Sequence, residues 1–483
     1  MTIGGLSKGR RLKPMPILQP IKTSREGLSE QIAYQVLDLI ASSALEAGSR
    51  LPSIEQLAAQ LGVSQASIRE AIKLLDAWGA ITVRHGAGVF VAGLTENLLT
   101  IPFKVSANRS DRALLNLHQI REALEPDIAA IAAREHQPEH LHEIEVALRG
   151  MDQSVNDPET YLKADLEFHT ALAKSTGNDL FLIVIHPIID LMEEGKRLTN
   201  RSPGMLERAQ AHHWWIYEKI KKGAADEAYE AMRTHLEGSW KEIQLRSKPY
   251  SIIDFKPSKK GLLSDQVVHK LLDFIASNRL KVGDRLPPVE ELCAQLGVSR
   301  TPVREAIKLL DAWGVITVKH GIGIFVSGPT KDTLKIPLRL SVERSDKAIC
   351  HLHQLREALE PDIAAFAALN AQDEHIRLIE QTIRSMEKCM DTPKSFIVHD
   401  LAFHAALADA TGNNLFLIVI HSVVDLLQDM RNLAVSTPGA PARAHQYHMR
   451  ILENIKAKNP NGARQEMKSH LSQTWSEIQS VID

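Results

Sequence analysis

The segment LGVSQASIREAIKLLDAWGAITVRHGAGVFV, at residues 61–91, occurs a second time as LGVSRTPVREAIKLLDAWGVITVKHGIGIFV, at residues 296–326. The two segments are identical at 23 of 31 positions and lie 235 residues apart. The same offset aligns residues far downstream, for example His213 with His448. A unit of 235 residues has therefore been duplicated without net insertion, and we call its two occurrences copy one and copy two.

Helical and β-rich patterns surround this segment in each copy. The apolar residues before it recur at helical spacing, residues 54–61 form a short helical pattern, and Ser64 is suited to cap a third helix over residues 65–78. Two β-rich runs then flank a Gly-containing turn, which predicts a hairpin. Three helices followed by a hairpin predict a winged helix-turn-helix domain, at residues 26–93 in copy one and 261–328 in copy two.

The remainder of each copy has helical patterns and no strand pattern. Between residue 111 and about residue 246, residues such as Gly, Pro and Asn interrupt the pattern at five places and outline about six helices. This predicts an all-α bundle, at residues 94–246 in copy one and 329–483 in copy two. The fold class is therefore mainly α, with a flexible basic arm at residues 1–25 and a linker at residues 247–260.

The composition narrows the class of protein. Of the 483 residues, 44% are hydrophobic and 24% are charged, which is ordinary for a soluble globular protein, and the net charge is −2. Any nucleic-acid contact must therefore come from a local basic patch. The three cysteines, Cys293, Cys350 and Cys389, all lie in copy two without metal or redox spacing, which favours a reducing cytoplasm. The sequence has neither a signal-peptide pattern nor an apolar run long enough to cross a membrane.

The start of the third helix carries the side chains that we expect to read double-stranded DNA. A recognition helix enters the major groove with its N-terminal turn, where short hydroxyls contact phosphate and Arg pairs with guanine. A Gly at the tip of the wing lets the backbone approach DNA closely. The residues predicted to contact DNA are Ser64, Gln65, Ser67, Arg69, His85 and Gly86 in copy one, and Ser299, Arg300, Thr301, Arg304, His320 and Gly321 in copy two. A solvated helix charge is the alternative for a lone Arg, but the complete pattern, present twice, favours DNA contact.

A second set of polar residues lies in the helical region of each copy. Each set has an Asp and a His four residues apart, on one helix face, followed by two His on later helices. The sets are Asp165, His169, His213 and His235 in copy one, and Asp400, His404, His448 and His470 in copy two. One carboxylate and three imidazoles suit a divalent transition metal, with Zn²⁺ preferred and Ni²⁺ or Mn²⁺ as alternatives, one ion per domain. An open coordination position would accept a carboxylate or hydroxy acid.

Arg121 and Arg356 lie upstream of these sets, in the shared motif REALEPD. An Arg inside a helical bundle either pairs with a buried carboxylate, here Glu122 or Glu125, or meets an anionic ligand. Both interpretations stay open, and Arg121 and Arg356 are therefore candidate effector-binding residues.

The motifs together resemble one known family. GxRLP at residues 48–52, the LGVS segment with its EAI and LL pattern, and the HG wing are similar to the GntR superfamily of bacterial transcription regulators. The all-α region resembles the ligand-sensing FCD domain of the FadR subfamily, and the Asp and His set matches the metal-binding version of that domain. The resemblance implies that a dimer places two winged helices on a palindromic operator and that a metabolite in the helical domain changes DNA affinity. Here one polypeptide carries both halves, which implies a fused pseudo-dimer, with further homo-oligomerisation left open.

The two recognition helices are not equivalent within this resemblance. Copy two has SRTPVREAI, the usual pattern of the family, whereas copy one has Gln65, Ala66 and Ser67 in place of RTP. In both copies a Glu, Glu55 or Glu290, stands in the second helix where many members have an Arg that contacts DNA. We therefore expect an imperfect palindrome as operator, with the half-site of copy one bound more weakly.

Three functions are compatible with these patterns. The first, which we adopt, is a DNA-binding transcription regulator controlled by a small carboxylate or hydroxy acid that binds at the metal sites. The second keeps the metals purely structural. The third is a metal-dependent hydrolase or isomerase, which would need a general base beside the metal. Helix geometry points Glu167 away from the set and its counterpart is Ala402, so that an enzyme is disfavoured.

Overall fold

The computed structural model describes residues 28–92, 112–199, 205–246, 263–327 and 347–482, apart from short gaps inside the first and the last two ranges. The chain divides into two compact units, Met1–Thr95 and Glu96–Asp483. The basic arm predicted at residues 1–25 and the linker predicted at residues 247–260 lie outside the described residues.

The first unit contains the predicted winged helix of copy one. Its elements, in chain order, are α1 (Leu28–Ser42), α2 (Ile54–Leu61), α3 (Gln65–Ala77), β1 (Ile81–Arg84) and β2 (Gly88–Val91). The two strands pair antiparallel, and three helices followed by a hairpin confirm the predicted arrangement.

Local side-chain chemistry sets the ends of the two short helices. Ser53 and Gln56 form a capping box at the start of α2, and Gly62 ends that helix with φ of 67°, in the left-handed region that Gly adopts without strain. The backbone N–H of Ser67 donates to Oγ of Ser64 at 3.1 Å, so that Ser64 caps α3 as its position predicts. These caps fix the turn that presents the start of α3 at the surface.

The hairpin packs one face on the helices and leaves its tip exposed. Val89 and Val91 are buried, while the intervening Phe90 is only partly so, as expected for the two-residue period of a strand. Arg50 forms an isolated antiparallel bridge with Phe90, which ties the segment before α2 to the hairpin.

The winged helix of copy two repeats this order. Its elements are α10 (Leu263–Ser277), α11 (Val289–Leu296), α12 (Arg300–Ala312), β3 (Ile316–Lys319) and β4 (Gly323–Val326). A continuous apolar core, which includes Leu271, Val303 and Ile316, holds the helices and the hairpin together.

Six helices with defined bounds lie in the described residues of each all-α domain, and the six of copy one agree with the prediction of about six. Those of copy one are α4 (Ala113–Glu135), α5 (Pro138–Gln153), α6 (Pro158–Ser175), α7 (Asp179–Thr199), α8 (Met205–Lys221) and α9 (Ala225–Arg246). Those of copy two are α13 (Ala348–Asn370), α14 (Asp373–Glu387), α15 (Pro393–Ala410), α16 (Asn414–Val424), α17 (Ala440–Lys456) and α18 (Pro460–Ile482). Among the helices of the described ranges, none has the length and apolar character that crossing a membrane requires.

The first helix of each bundle is its central element. Helix α4 packs against α6, α7, α8 and α9, and α13 packs against α15, α17 and α18. Polar residues on these central helices, such as Arg121 and Arg356, are consequently buried. Buried polar groups need partners, so a polar site inside the bundle is expected next to the central helix.

The two helical domains contact each other through reciprocal hydrogen bonds. Nδ2 of Asn178 donates to the carbonyl oxygen of His351 at 3.0 Å and to Oε1 of Gln354 at 2.9 Å. The same contact, shifted by 235 residues on both sides, joins Nδ2 of Asn413 to the carbonyl oxygen of Asn116 at 2.9 Å and to Oε1 of Gln119 at 3.0 Å. A contact in which each partner uses the same patch is the pattern of a two-fold interface.

Candidate metal centres and nucleic-acid interface

The predicted Asp and His set of copy two comes together inside its helical bundle. Helix α15 supplies Asp400 and His404, α17 supplies His448 and α18 supplies His470. All four side chains are buried, and each offers one ligand atom within 4.8 Å of the others. Residues separated by up to 70 positions in the sequence therefore form one compact donor cluster.

The separations within this cluster can be compared with those in a metal shell. Nε2 of His448 lies 3.3 Å from Nε2 of His470 and 3.4 Å from Oδ1 of Asp400. Two ligand atoms each about 2.05 Å from a tetrahedral ion are about 3.3 Å apart. Nε2 of His404 lies 3.9 Å from Oδ1 of Asp400, somewhat farther than that spacing. The donor types and most of the spacings thus fit a divalent transition ion.

Copy one brings the three equivalent His together, with Asp165 beside two of them. The ligand nitrogens of His169, His213 and His235 lie within 4.8 Å of one another. Oδ1 of Asp165 is 3.3 Å from Nε2 of His213 and 3.9 Å from Nε2 of His169. All four predicted residues are therefore brought together in this copy as well.

Burial sets the protonation of the imidazoles in copy two. Burial, followed by the neighbouring His470 and His404, lowers the pKa of His448 well below its ordinary value. Burial, followed by His404 and Arg356, lowers the pKa of His470 in the same way. Both rings are consequently neutral near pH 7, which is the form that binds a metal ion.

A carboxylate from the central helix orients one imidazole in each cluster. Nδ1 of His169 lies 2.7 Å from Oε2 of Glu125, and Nδ1 of His404 lies 2.6 Å from Oε2 of Glu360. A ring that donates its Nδ1–H to a carboxylate keeps a lone pair on Nε2, the atom that faces the cluster. Burial alone would raise the pKa of Glu125, but the charges of Arg121 and His169 hold that pKa well below its usual range.

The sequence predicted Glu125 only as a partner for Arg121, and its contact with His169 was missed. The missing information was the crossing of α4 and α6, which the spacing of residues along one helix does not contain. The repeat offered a partial signal, since Glu125 and Glu360 are equivalent positions in the two copies.

Both candidate effector-binding Arg residues pair with the same carboxylates. Nε and Nη2 of Arg121 contact Glu125, and Nε of Arg356 donates to Oε1 of Glu360 at 2.6 Å. Nη1 of each guanidinium is buried and has no hydrogen-bond partner among the described residues. Nη2 of Arg121 also lies 3.4 Å from Nε2 of His169, on the cluster side of the ring. Each guanidinium group thus pairs with a buried carboxylate and lies next to the donor cluster.

Copy two contains one more buried cation that sequence analysis missed. The side chain of Arg431 is 5% exposed, and its Nη1 pairs with Oδ2 of Asp400, the carboxylate of the cluster. The equivalent position in copy one is Lys196, whose side chain lies outside the described residues. No motif marks Arg431, because the pattern around it does not show which way the chain turns after α16.

Glu167 does not take part in the cluster of copy one. It lies on α6 between two members of the set, and its side chain is exposed. Its counterpart Ala402 has no ionisable group. The two clusters therefore share no general base at this position, as expected for a binding site.

The predicted DNA-reading residues of copy one lie at the surface around the start of α3. Ser64, Gln65 and Arg69 are exposed, and Ser67 is partly buried. Nη2 of Arg69 donates to Oε1 of Gln65 at 3.2 Å. Gly86 has φ of 75° at the exposed tip of the hairpin, a conformation that favours Gly. His85 lies outside the described residues.

The equivalent surface of copy two carries one more cation. Arg300, Thr301 and Arg304 are exposed at the start of α12, beside the exposed Ser299. Nη2 of Arg300 lies 3.5 Å from Oε1 of Glu290 on α11. The tip glycine, Gly321, has φ of 74°, and His320 lies outside the described residues.

Further basic residues flank each hairpin and were not singled out from the sequence. A Cβ atom at Gly88 would lie 2.9 Å from Nε of Arg50, so this Gly makes room for the Arg side chain. Arg285 occupies the same place beside Gly323. Because both Arg residues are exposed next to the wing, they add positive charge to the surface that would face DNA.

Two winged helices and two helical bundles with buried donor clusters define a class of protein, the DNA-binding regulator with attached sensor domains. Residues 28–91 and 263–326 match the model of the bacterial regulatory proteins, gntR family. Residues 116–238 and 351–473 match the FCD domain. The chain therefore belongs to the GntR family of bacterial regulatory proteins, and it is a transcription regulator rather than an enzyme.

Several named proteins are similar to one copy of the unit. The HTH-type transcriptional repressor NanR of Salmonella newport (strain SL254) is 30% identical over 236 residues, which cover 46% of this chain and 88% of the relative. The protein of the same name from Salmonella typhimurium is 30% identical over 236 residues and covered to 87%. A solved structure, Streptococcus agalactiae GntR, is 28% identical, with 44% of this chain and 99% of that chain covered and a TM-score of 0.37.

Proposed function

We propose that this regulator binds an imperfectly palindromic operator as an intramolecular pseudo-dimer and that a small carboxylate or hydroxy acid controls its DNA affinity. The effector binds at a divalent metal ion, with Zn²⁺ preferred, in each helical domain. The observation that carries the proposal is a buried donor cluster in each bundle, with one Asp and three His in copy two and three His with Asp165 beside two of them in copy one.

Asp165, His169, His213 and His235 would hold the ion in copy one, and Asp400, His404, His448 and His470 would hold it in copy two. A structural Zn²⁺ site is commonly closed by four protein ligands, whereas an ion with five or six ligands keeps positions for a ligand from solution. The metal would supply Lewis acidity toward a carboxylate oxygen. The carboxylates Glu125 and Glu360 would keep one imidazole of each shell in the binding tautomer.

The buried Arg side chains support a carboxylate as the effector. Nη1 of Arg121 and Nη1 of Arg356 are buried donors without a hydrogen-bond partner in the described part of the chain. An unsatisfied buried donor on a charged group is costly, and a bound carboxylate would satisfy it with a charge-assisted hydrogen bond. Each Arg would stay paired with its Glu, so that one guanidinium group would serve both of the roles considered for it.

The pseudo-dimer is supported by the reciprocal contacts of Asn178 and Asn413. Each Asn caps its own helix through its side-chain oxygen and uses its Nδ2 group to bind the other domain. Two winged helices carried by such a pair of helical domains would occupy two half-sites whose spacing is fixed by the DNA helix. An effector that repacks the central helices would change that spacing, to the extent that it binds the two arrangements with different affinity.

The name of the Salmonella relatives favours repression as the direction of control. Both are called transcriptional repressors, and each corresponds to about one copy of the unit. Effector binding would then release DNA and allow transcription. A regulator with purely structural metal ions is the second candidate, and it is favoured by the four protein ligands available in each cluster, which suffice to close a tetrahedral shell.

The test combines metal content with ligand response. Elemental analysis of the purified chain should find two transition-metal ions per chain, and the solution mass should show whether the chain acts alone. A panel of small carboxylates is then screened for weaker operator binding and for metal-dependent thermal stabilisation. Stabilisation by Zn²⁺ with no response to any carboxylate would favour structural metals. Failure to bind metal after reloading would overturn the metal-centred proposal.

A further inference from the structure

Among the side chains that the structure describes, the buried charges around the two clusters have different sums. In copy two the buried ionisable groups are Arg356 and Arg431, whose guanidinium groups stay protonated, and the carboxylates Glu360 and Asp400. The sum is 2 − 2 = 0 before any ion binds. A divalent ion would bring the sum to +2 in a site closed off from water, where uncompensated charge is costly.

The corresponding sum in copy one is lower among the groups that the structure describes. Arg121 stands against Glu125 and Asp165, which gives 1 − 2 = −1. A divalent ion would bring this sum to +1. Lys196, at the position of Arg431, is not part of this count because its side chain lies outside the described residues.

Arg431 competes directly for a metal ligand. Its Nη1 pairs with Oδ2 of Asp400, while Oδ1 of the same carboxylate faces Nε2 of His448 at 3.4 Å. One carboxylate therefore serves a guanidinium on one oxygen and the donor cluster on the other. A cation at the second oxygen draws electron density from the first and repels an incoming ion.

The remaining donors of Arg431 point to what would relieve this repulsion. Nε and Nη2 of Arg431 are buried and make no hydrogen bond to any residue in the described ranges, and the same holds for Nη1 of Arg356. Planar guanidinium donors match the paired oxygens of a carboxylate or a phosphate. An anion at these donors would satisfy them and offset the excess positive charge.

We propose that Arg431 makes metal binding at the copy-two centre conditional on an anion, so that metal and oxyanion bind there cooperatively. The inference rests on the proposed metal-centred function and adds a dependence at copy two, the copy in which the side chain at this position is described. Metal alone would load copy two weakly, and an anion would load it tightly by pairing with the guanidinium.

The experiment isolates copy two in the full-length chain. His235→Gln disables the copy-one cluster, and Co²⁺ serves as a metal with a visible absorption spectrum. The His235→Gln protein and its Arg431→Gln derivative are stripped with chelator and titrated with Co²⁺ in perchlorate, then in acetate at equal ionic strength. Arg464→Gln, which removes an Arg of the same domain that pairs with Asp362, is the matched control.

In perchlorate, Arg431→Gln should bind Co²⁺ at least about tenfold more tightly than the parent, and Arg464→Gln should equal the parent. Acetate should tighten Co²⁺ binding to the parent several-fold and should tighten binding to Arg431→Gln clearly less, through the metal ion and Arg356 alone. Equal or weaker binding by Arg431→Gln in perchlorate would overturn the inference. So would an acetate effect that is absent from the parent or that is equally large in Arg431→Gln.

Thermal unfolding and a charge-preserving variant distinguish a loss of folding from an effect on metal binding. Thermal unfolding of each metal-free variant establishes that it folds, and Arg431→Met replaces Arg431→Gln if the latter does not. Arg431→Lys keeps the charge and should bind Co²⁺ no more tightly than the parent. If the unmodified chain binds Co²⁺ in neither copy under any condition, the proposed function itself fails. If Co²⁺ binds tightly and with the same affinity whatever residue stands at position 431, only this inference fails.

Discussion

Copy one and copy two share the order of their helices and strands but differ where DNA or a ligand would meet them. In copy one Arg69 donates to Gln65 at the start of the recognition helix, whereas in copy two Arg300 faces Glu290. In the bundle, the carboxylate of the copy-two cluster pairs with Arg431. The candidate metal ligands keep their residue types in both copies, and the differences lie beside them, as at Arg431, and at the start of the recognition helix.

A duplication inside one chain allows the two copies to diverge independently. In a homodimer every substitution occurs twice, because both halves come from one coding sequence. In a fused pair, each recognition helix and each cluster can change alone. The reciprocal contacts of Asn178 and Asn413 are kept at equivalent positions, so the symmetry persists at the contact between domains while it is relaxed at the sites.

Removing one metal ligand from each copy tests whether both clusters bind a metal ion. His448→Ala and, separately, His213→Ala should each reduce the metal content by one ion per chain. At a free ion concentration of 100 times Kd, binding stabilises the folded state by about 2.7 kcal/mol, and each variant should lose that amount for its domain. Thermal unfolding with and without Zn²⁺ measures the loss. The exposed His142→Ala is the control, and Zn²⁺-dependent stabilisation that survives both ligand variants would contradict the assignment.

Removing one Arg from each recognition helix compares how much the two helices contribute to operator binding. Arg304→Ala should weaken operator binding by about 1–3 kcal/mol, the usual cost of losing an Arg contact with guanine. Arg69→Ala should cost less, since Gln65 replaces the Arg found in copy two and the half-site is expected to be read weakly. Binding titrations at fixed salt measure both, with the exposed Arg384→Ala of the helical domain as control. Equal losses of binding free energy in the two variants, on a selected DNA site that is perfectly symmetric, would contradict the prediction of an asymmetric operator.

The next largest effect is expected from replacing the carboxylates that contact a ring of each metal cluster, Glu360 and Glu125. Glu360→Gln should weaken metal binding to copy two by about 10–100-fold, because the ring of His404 loses the partner that sets its tautomer. Glu125→Gln should do the same in copy one. Glu357→Gln, which alters the partly exposed partner of His353, is the matched control. Competition titrations against a chromophoric chelator measure the metal affinity of each site. Unchanged metal affinity in Glu360→Gln would show that this carboxylate does not support metal binding.

The elements of the fold were predictable because their signals are local. Helix α2 begins and ends at the predicted residues, since Ser53 and Gly62 act through their own turns. The five interruptions in the helical pattern of copy one correspond to the ends of six helices. The duplication helped, because a pattern found at two equivalent places is less easily mistaken for chance.

The candidate sites were predictable only in part, because their remaining members depend on how helices cross. The Asp and His set was found by resemblance, and the structure brings it together in both copies. The contact of Glu125 with His169 requires α4 to cross α6 at one particular level. The entry of Arg431 into the cluster depends on the path of the chain after α16, for which sequence periodicity provides no information.

The smallest expected effect concerns a carboxylate between the two domains. Burial raises the pKa of Asp127 to about 7, against the opposing charge of Lys468, and Asp362 of the other copy adds to the increase. The unfolded chain releases this proton near pH 4, so the free energy of unfolding should fall as pH rises from about 4 to about 7 and level off above that. Three pKa units set an upper bound of about 4 kcal/mol, and partial exposure reduces the expected effect to about 1–2 kcal/mol.

Asp127→Asn should remove this slope and be more stable than the unmodified chain at pH 8, but not at pH 4. Asp362 provides the comparison, because it contacts Arg464 and its carboxylate therefore has a cation in direct contact. Asp362→Asn loses that ion pair and should gain less stability at pH 8. Chemical denaturation of the metal-free chain at several pH values measures both slopes. If the two variants responded identically, the domain contact would be electrostatically symmetric, and the divergence of the copies would be confined to the DNA-reading helices and the metal clusters.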